Sequence, residues 1–180
     1  GGPIIGGFAD KYSDQVKSLS FIAPAGFGKV QTSIPFFMKI PGVIEWAMHV
    51  LADRFYGSAI SSETAHSNDP LSINEEEFQQ LFSFQVQFKG FRESLASTMR
   101  NFNLFDAREM FEKVATKNIP SIAIWGDNDG VVSYRGAETY SEIFHEGKVI
   151  TIESGTHDIT YRQPSDVLEA INIFLDSQIP

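Results

Sequence analysis

Apolar residues at positions 4, 5, 8, 9, 12 and 16 of "PIIGGFADKYSDQV" recur at close to helical spacing, and Pro3 suits a first helical turn. "KSLSFIAPAGFG" follows, an alternating run that turns apolar and is stopped by Pro24 and two glycines. That pattern predicts a buried strand. A helix followed by a strand points to an α/β layer rather than a helical bundle.

Residues 30 to 100 carry a different pattern. Pro35 and Pro41 punctuate an apolar region rich in Phe, Ile and Met, and "SSETAHSNDPLS" reads as a polar loop. "INEEEFQQLFSFQVQFKGFRESLASTMRNF" then resumes helical periodicity, with Asn74 as a cap and three glutamates favouring the positive end of the helix. No run here alternates as a strand would, so the segment predicts a helical insertion. The α/β rhythm returns with "DAREMFEKVATKN" as helix, "IPSIAIWGDND" as strand, "SYRGAETYSEIFHE" as helix and "KVITIES" as strand. "GTHD" is a loop, and "QPSDVLEAINIFLD" a closing helix with Pro164 near its start. The predicted organisation is an α/β core over 1–29 and 101–180, with a helical cap inserted over 30–100.

Composition narrows the chemistry. A chain of 180 residues, 42% of them hydrophobic, can build one ordinary domain with a core. The net charge of -9 opposes a nucleic-acid partner, which would demand a basic face. With no cysteine, disulfides, thiolate metal sites and a cysteine nucleophile are excluded. His49, His66, His145 and His157 show no ligand spacing, so no metal site is expected. No stretch reads as a signal peptide or as an uninterrupted apolar span. Compartment, membrane association and oligomeric state have no counterpart in these patterns.

The candidate chemistry stands at two strand ends. After "SIAIW" come Gly126-Asp127-Asn128-Asp129, and after "VITIE" come Ser154-Gly155-Thr156-His157. Ligands and chemistry gather at the carboxyl ends of parallel strands. Strands joined by one helical crossover usually lie side by side, so the two loops should meet at one edge. A carboxylate bonded to one imidazole nitrogen sets the tautomer and leaves the other nitrogen to act as a base. Gly-Asp-Asn-Asp-Gly is also ordinary turn chemistry, so each loop alone decides little; the two together, at consecutive strand ends, single out Asp129 and His157.

These residues resemble the carboxyl-terminal part of an α/β-hydrolase. The strand bearing that family's acid commonly reads Pro-x-apolar-x-apolar-x-Gly-x-x-Asp, as from Pro120 through Gly126 to Asp129. Its histidine follows a glycine beyond the last strand, ahead of a proline-containing segment and an amphipathic helix, as in "SGTHDITYRQPSDVLEAINIFLD". The family also inserts helices after its sixth strand, where 30–100 lies. The resemblance implies a parallel sheet flanked by helices, with the amino-terminal strands missing, and makes Asp127 and Asp158 neighbours of the functional residues.

Family members carry Gly-x-Ser-x-Gly-Gly at a strand-to-helix elbow, and Gly1-Gly2 fit its last two positions. The expected nucleophile therefore sits two residues before Gly1. The resemblance implies a serine esterase, lipase or carbon–carbon hydrolase acting on an apolar, ester-like small molecule, with no cofactor and with Asp129 and His157 as catalytic residues. The 180 residues alone are expected to be inactive. An epoxide-hydrolase or dehalogenase relative with an aspartate nucleophile, and a non-catalytic scaffold of the same fold, are the alternatives.

Overall fold

The computed structural model describes residues 1–28, 40, 42–50, 68–102 and 106–178. The punctuation at Pro35 and Pro41 and most of the polar loop before Ser72 lie outside them. The chain divides into two compact units. One comprises Gly1–Gln31, Ser67–Ser72 and Asn103–Pro180, the other Thr32–His66 and Ile73–Phe102.

In the first unit, strands β1 (Leu19–Ile22), β2 (Ser121–Gly126) and β3 (Lys148–Ile152) form a parallel sheet in the order β1-β2-β3. Leu19 pairs with Ser121 and Ile22 with Ile124, while Ile122 pairs with Lys148 and Gly126 with Ile152. All of β2 is buried, as expected of a near-continuous apolar run in a sheet covered on both faces. Its side chains alternate between two cores. Ala123 and Trp125 join Phe21, Phe27, Phe111, Tyr140 and Phe144 on one face. Ile122 and Ile124 join Ile152, Ile159, Val167, Ala170 and Phe174 on the other.

The aromatic face is covered by α1 (Gly2–Lys11), which holds in its first turn the proline the sequence marked, and by the helices Arg108–Ala115 and Gly136–Ile143. Phe27 and Phe111 stack at 4.0 Å, and Phe21 meets both edge-on. Between Tyr140 and Ser121, two buried hydroxyls share a hydrogen bond of 2.7 Å. Burial raises the Tyr140 phenol to about 12, against the smaller opposing pull of that bond. The second face is covered by the closing helix Pro164–Asp176 through Val167, Ala170 and Phe174. A short helix, Ile159–Arg162, precedes it; the sequence pattern held only a loop and the closing helix there.

Two segments of this unit, far apart in the chain, meet at residues 26–27 and 106–107. Phe27 and Asp106 form an antiparallel bridge, and the amide of Ala107 donates to the carbonyl of Gly26 at 2.9 Å. Gly26 sits there at φ +99, a conformation that L side chains rarely adopt, and a Cβ would press on Phe111, Pro3 and Ala107.

Among its described residues the second unit holds three helices, Val43–Val50, Glu75–Val86 and Phe91–Asn101, and no strand. Asn74 and Glu77 cap the second helix reciprocally, at 2.9 and 3.1 Å. The periodicity that runs unbroken through "FSFQVQFKGFRESLAS" is interrupted in the structure, where Gly90 takes φ +87 and the chain starts a separate helix at Phe91. Glycine makes that reversal cheap, and an apolar spacing alone does not register it. Ile44 and Ala96 form the small buried core, and an Arg100–Glu45 ion pair links the first and third helices.

Candidate active site

The site is built at the carboxyl ends of β2 and β3, where two loops are stitched together by backbone. The amide of Asp127 donates to the carbonyl of Ile152 at 3.2 Å, and that of Asn128 to Gly155 at 2.9 Å. Gly126 and Gly155 permit this approach. A Cβ on Gly126 would lie 2.2 Å from the Gly155 carbonyl oxygen, and one on Gly155 would lie 2.9 Å from the Gly126 Cα. The glycines that end the strand pattern are thus required by contact between loops that the sequence separates by a whole helix.

Asp129 sits in the turn after β2 and is buried, at 8% exposure. One carboxylate oxygen, Oδ1, accepts from the amides of Val131 and Val132 at 2.9 and 2.7 Å. The other, Oδ2, lies 2.9 Å from Nδ1 of His157. The turn is held from behind, because the indole Nε1 of buried Trp125 donates to the carbonyl of Val132 at 2.9 Å. A carboxylate fixed by two amides has little freedom left, so the direction it offers the imidazole is set by the fold. The His157 side chain keeps 38% of its surface, against none for the Asp129 side chain. A buried acid and a part-exposed base are therefore joined through one nitrogen.

Sequence reasoning named Asp129 and His157, and the structure brings them into hydrogen-bond contact. Their neighbours lie elsewhere: Asp127 is exposed, while Asp158 pairs with Arg162 at 3.0 Å and with the hydroxyl of Thr156. The amides of Val131 and Val132 and the indole of Trp125 were not anticipated. Asp-x-x turns that fold back on their own amides are a known habit of aspartate, and "DNDGVV" carries that potential. The Trp125 bond has no local signature.

Among the described residues no group of three or more His, Asp or Glu could hold a metal ion, and no helix is long and apolar enough to cross a membrane. A cavity of about 670 Å³ opens at the opposite strand ends, lined by Pro120, Ser121, Gly147, Lys148, Arg108 and Glu142 among others. It is remote from Asp129 and His157 along the strands and contributes nothing to their chemistry.

No protein-family profile matches the sequence. Lipase 3 of Moraxella sp. (strain TA144) is 25% identical over an aligned stretch of 174 positions that covers 87% of this chain and 47% of the lipase. The chain thus spans about half the length of the curated relative it matches. Among solved structures, a bromoperoxidase from Bacillus anthracis superposes with a TM-score of 0.71 at 19% identity, over 96% of this chain and 63% of that one. A carboxylesterase of the thaumarchaeon Nitrososphaera gargenis gives 0.69 at 13% identity, over 98% and 61%. A lipase-esterase related protein from Clostridium acetobutylicum gives 0.64 at 19% identity, over 97% and 62%. The parallel sheet, the helices on both of its faces and these superpositions agree: the chain has the α/β-hydrolase fold and covers its carboxyl-terminal part.

Proposed function

We propose that the complete protein hydrolyses an ester or related acyl bond of an apolar small molecule, with His157 as general base and Asp129 as its orienting acid. One observation carries this reading: a buried carboxylate, already held by two amides, bonds Nδ1 of a part-exposed imidazole at the carboxyl ends of adjacent parallel strands. An imidazole held at Nδ1 has its tautomer set, so Nε2 is the nitrogen that takes up a proton.

A hydroxyl nucleophile would pass its proton to Nε2 while its oxygen attacks the carbonyl carbon. The imidazolium, facing Asp129, then hands that proton to the departing alkoxide. Water repeats the sequence on the acyl intermediate, releasing the acid and restoring the hydroxyl. These steps balance without a cofactor. The nucleophile stands outside the 180 residues in this reading, at an elbow whose last positions are Gly1 and Gly2.

The division into a core over 1–29 and 101–180 and a cap over 30–100 belongs to the same proposal, save that Ser67–Ser72 group with the sheet-bearing unit. Ester chemistry is favoured by a relative named as a lipase and a structural neighbour named as a carboxylesterase. A meta-cleavage product hydrolase from Pseudomonas fluorescens IP01, superposing at 0.63 with 17% identity, keeps a carbon–carbon bond as the second reading.

The test uses the complete protein on short and medium acyl nitrophenyl esters and on a meta-cleavage product. Turnover should fall on the order of 10⁶-fold in His157→Ala and about 10⁴-fold in Asp129→Asn. Undiminished hydrolysis in either variant would overturn the assignment. Histidine-dependent turnover by the 180 residues alone would overturn the placing of the nucleophile.

A further inference from the structure

The helix Pro164–Asp176 begins seven residues after His157, and its own N-cap, Gln163, supplies no side-chain cap. The Gln163 amide group instead donates to the carbonyl of Glu153 at 3.1 Å. The first amides of a helix have no partner within it and require one from elsewhere. Here that partner is Asp69, 96 residues earlier in the chain. Its Oδ2 accepts from the Ser165 amide at 2.8 Å, and its Oδ1 accepts from the Ser165 hydroxyl at 2.8 Å and from the Leu71 amide at 2.8 Å. Residues Ser67–Ser72 belong to the same compact unit as the helix, so this is an internal brace of that unit.

The brace reaches the imidazole through a short series of bonds. Gln163 ties the helix start back to Glu153, on the near side of the histidine. Arg162 pairs with Asp158, whose other oxygen takes the Thr156 hydroxyl, so both neighbours of His157 in sequence are fixed from the same junction. The Gln163–Glu153 bond thus closes residues 153 to 163 into a loop that contains His157, and Asp69 anchors that loop two residues beyond its end. We infer that Asp69 is a positioning residue of the Asp129–His157 site, holding the histidine loop in register by capping the helix that follows it. The inference rests on the hydrolase reading given above.

The experiment measures kcat, KM and the pH profile of ester hydrolysis for the complete protein and for Asp69→Asn, Ser165→Ala and the double variant, with His157→Ala as reference. Asp69→Asn keeps the volume and replaces one of the two accepting oxygens. Its kcat should fall about tenfold, less than the roughly 10²-fold that a 1 Å misplacement costs, with KM little changed. A loosened imidazole feels less of the Asp129 charge, so the acid limb of the kcat/KM profile should move to lower pH. The double variant should be no worse than Asp69→Asn, because both changes break one contact.

Wild-type kcat in both single variants overturns the inference. So does a lowered kcat with an unmoved acid limb, which marks a purely structural brace. Should Asp69→Asn fail to fold, Ser165→Ala decides on the same two readouts. Hydrolysis surviving in His157→Ala sinks the hydrolase reading itself, so the two failures are told apart.

Discussion

Trp125, Tyr140, Phe21, Phe27 and Phe111 are fully buried in the sheet-bearing unit, whereas Trp46, Phe84 and Phe88 of the helical unit are 62%, 59% and 54% exposed. Both units are rich in aromatic residues, yet among the described residues only the first buries them as a core. The first is held by contacts between distant parts of the chain: rings from β1, from the bridge at Phe27 and from two helices meet beneath Trp125. The described helices of the second add local devices, a capping box and the Gln79–Glu75 and Gln80–Glu76 side-chain bonds one turn apart, to the small Ile44–Ala96 core and the Arg100–Glu45 pair. Chemistry that tolerates little displacement needs supports that are themselves locked by packing. The Asp129–His157 pair belongs to the unit that provides them.

The contrast is broken or sharpened first by truncating one ring in each unit. Phe111 stacks on Phe27 and has no exposed surface. Phe111→Ala should destabilise the protein by about 3–5 kcal/mol, from lost burial and the cavity left behind. Phe84→Ala should stay within about 0.5 kcal/mol. Urea unfolding of each variant measures both. A cost at Phe84 comparable to that at Phe111 would show that the helical unit has a core of the same kind.

A smaller effect is expected where the two loops of the site touch. Gly126→Ala would place a methyl 2.2 Å from the Gly155 carbonyl oxygen, so the backbones must part and the Asn128–Gly155 bond must lengthen. About 1–3 kcal/mol of destabilisation follows from such overpacking. The proposed hydrolysis should fall further than the loss of folded protein explains, because Asp129 and His157 stand on opposite sides of the contact. Activity in proportion to folded protein would show that the pair does not depend on it.

The legibility of the molecule follows the same division. The strands, the closing helix and the pair Asp129 and His157 could be read from sequence because each carries a local pattern: alternation, a proline at a helix start, a polar residue just past a strand. The Asn74 cap was legible for the same reason, with Glu77 three residues on. The break at Gly90 was not, since apolar spacing continues through it. Nor was the role of Asp69, because a cap is sought within a few residues of the helix it serves and here lies 96 residues away. The hold of Trp125 on the Asp129 turn is hidden likewise: an indole in a buried strand looks like core until its N–H is seen to find Val132. Short-range chemistry is written in the pattern, and long-range bracing is not.

The smallest effect belongs to the helical unit and tests whether its local devices matter at all. Asn74 accepts the Glu77 amide at 2.9 Å, and Glu77 returns the favour to the Asn74 amide at 3.1 Å, so two otherwise unpartnered donors of the helix start are satisfied. Asn74→Ala removes the first bond and should cost about 1 kcal/mol. Asn74→Gly should cost only a few tenths, since the exposed amide can turn to water without a Cβ in the way. If that cap acts locally, the loss should appear as faster amide exchange confined to Glu75–Val86, with β2 unaffected. Exchange that quickens equally in β2 would mean that the two units unfold as one, and the contrast drawn between them would then describe packing alone.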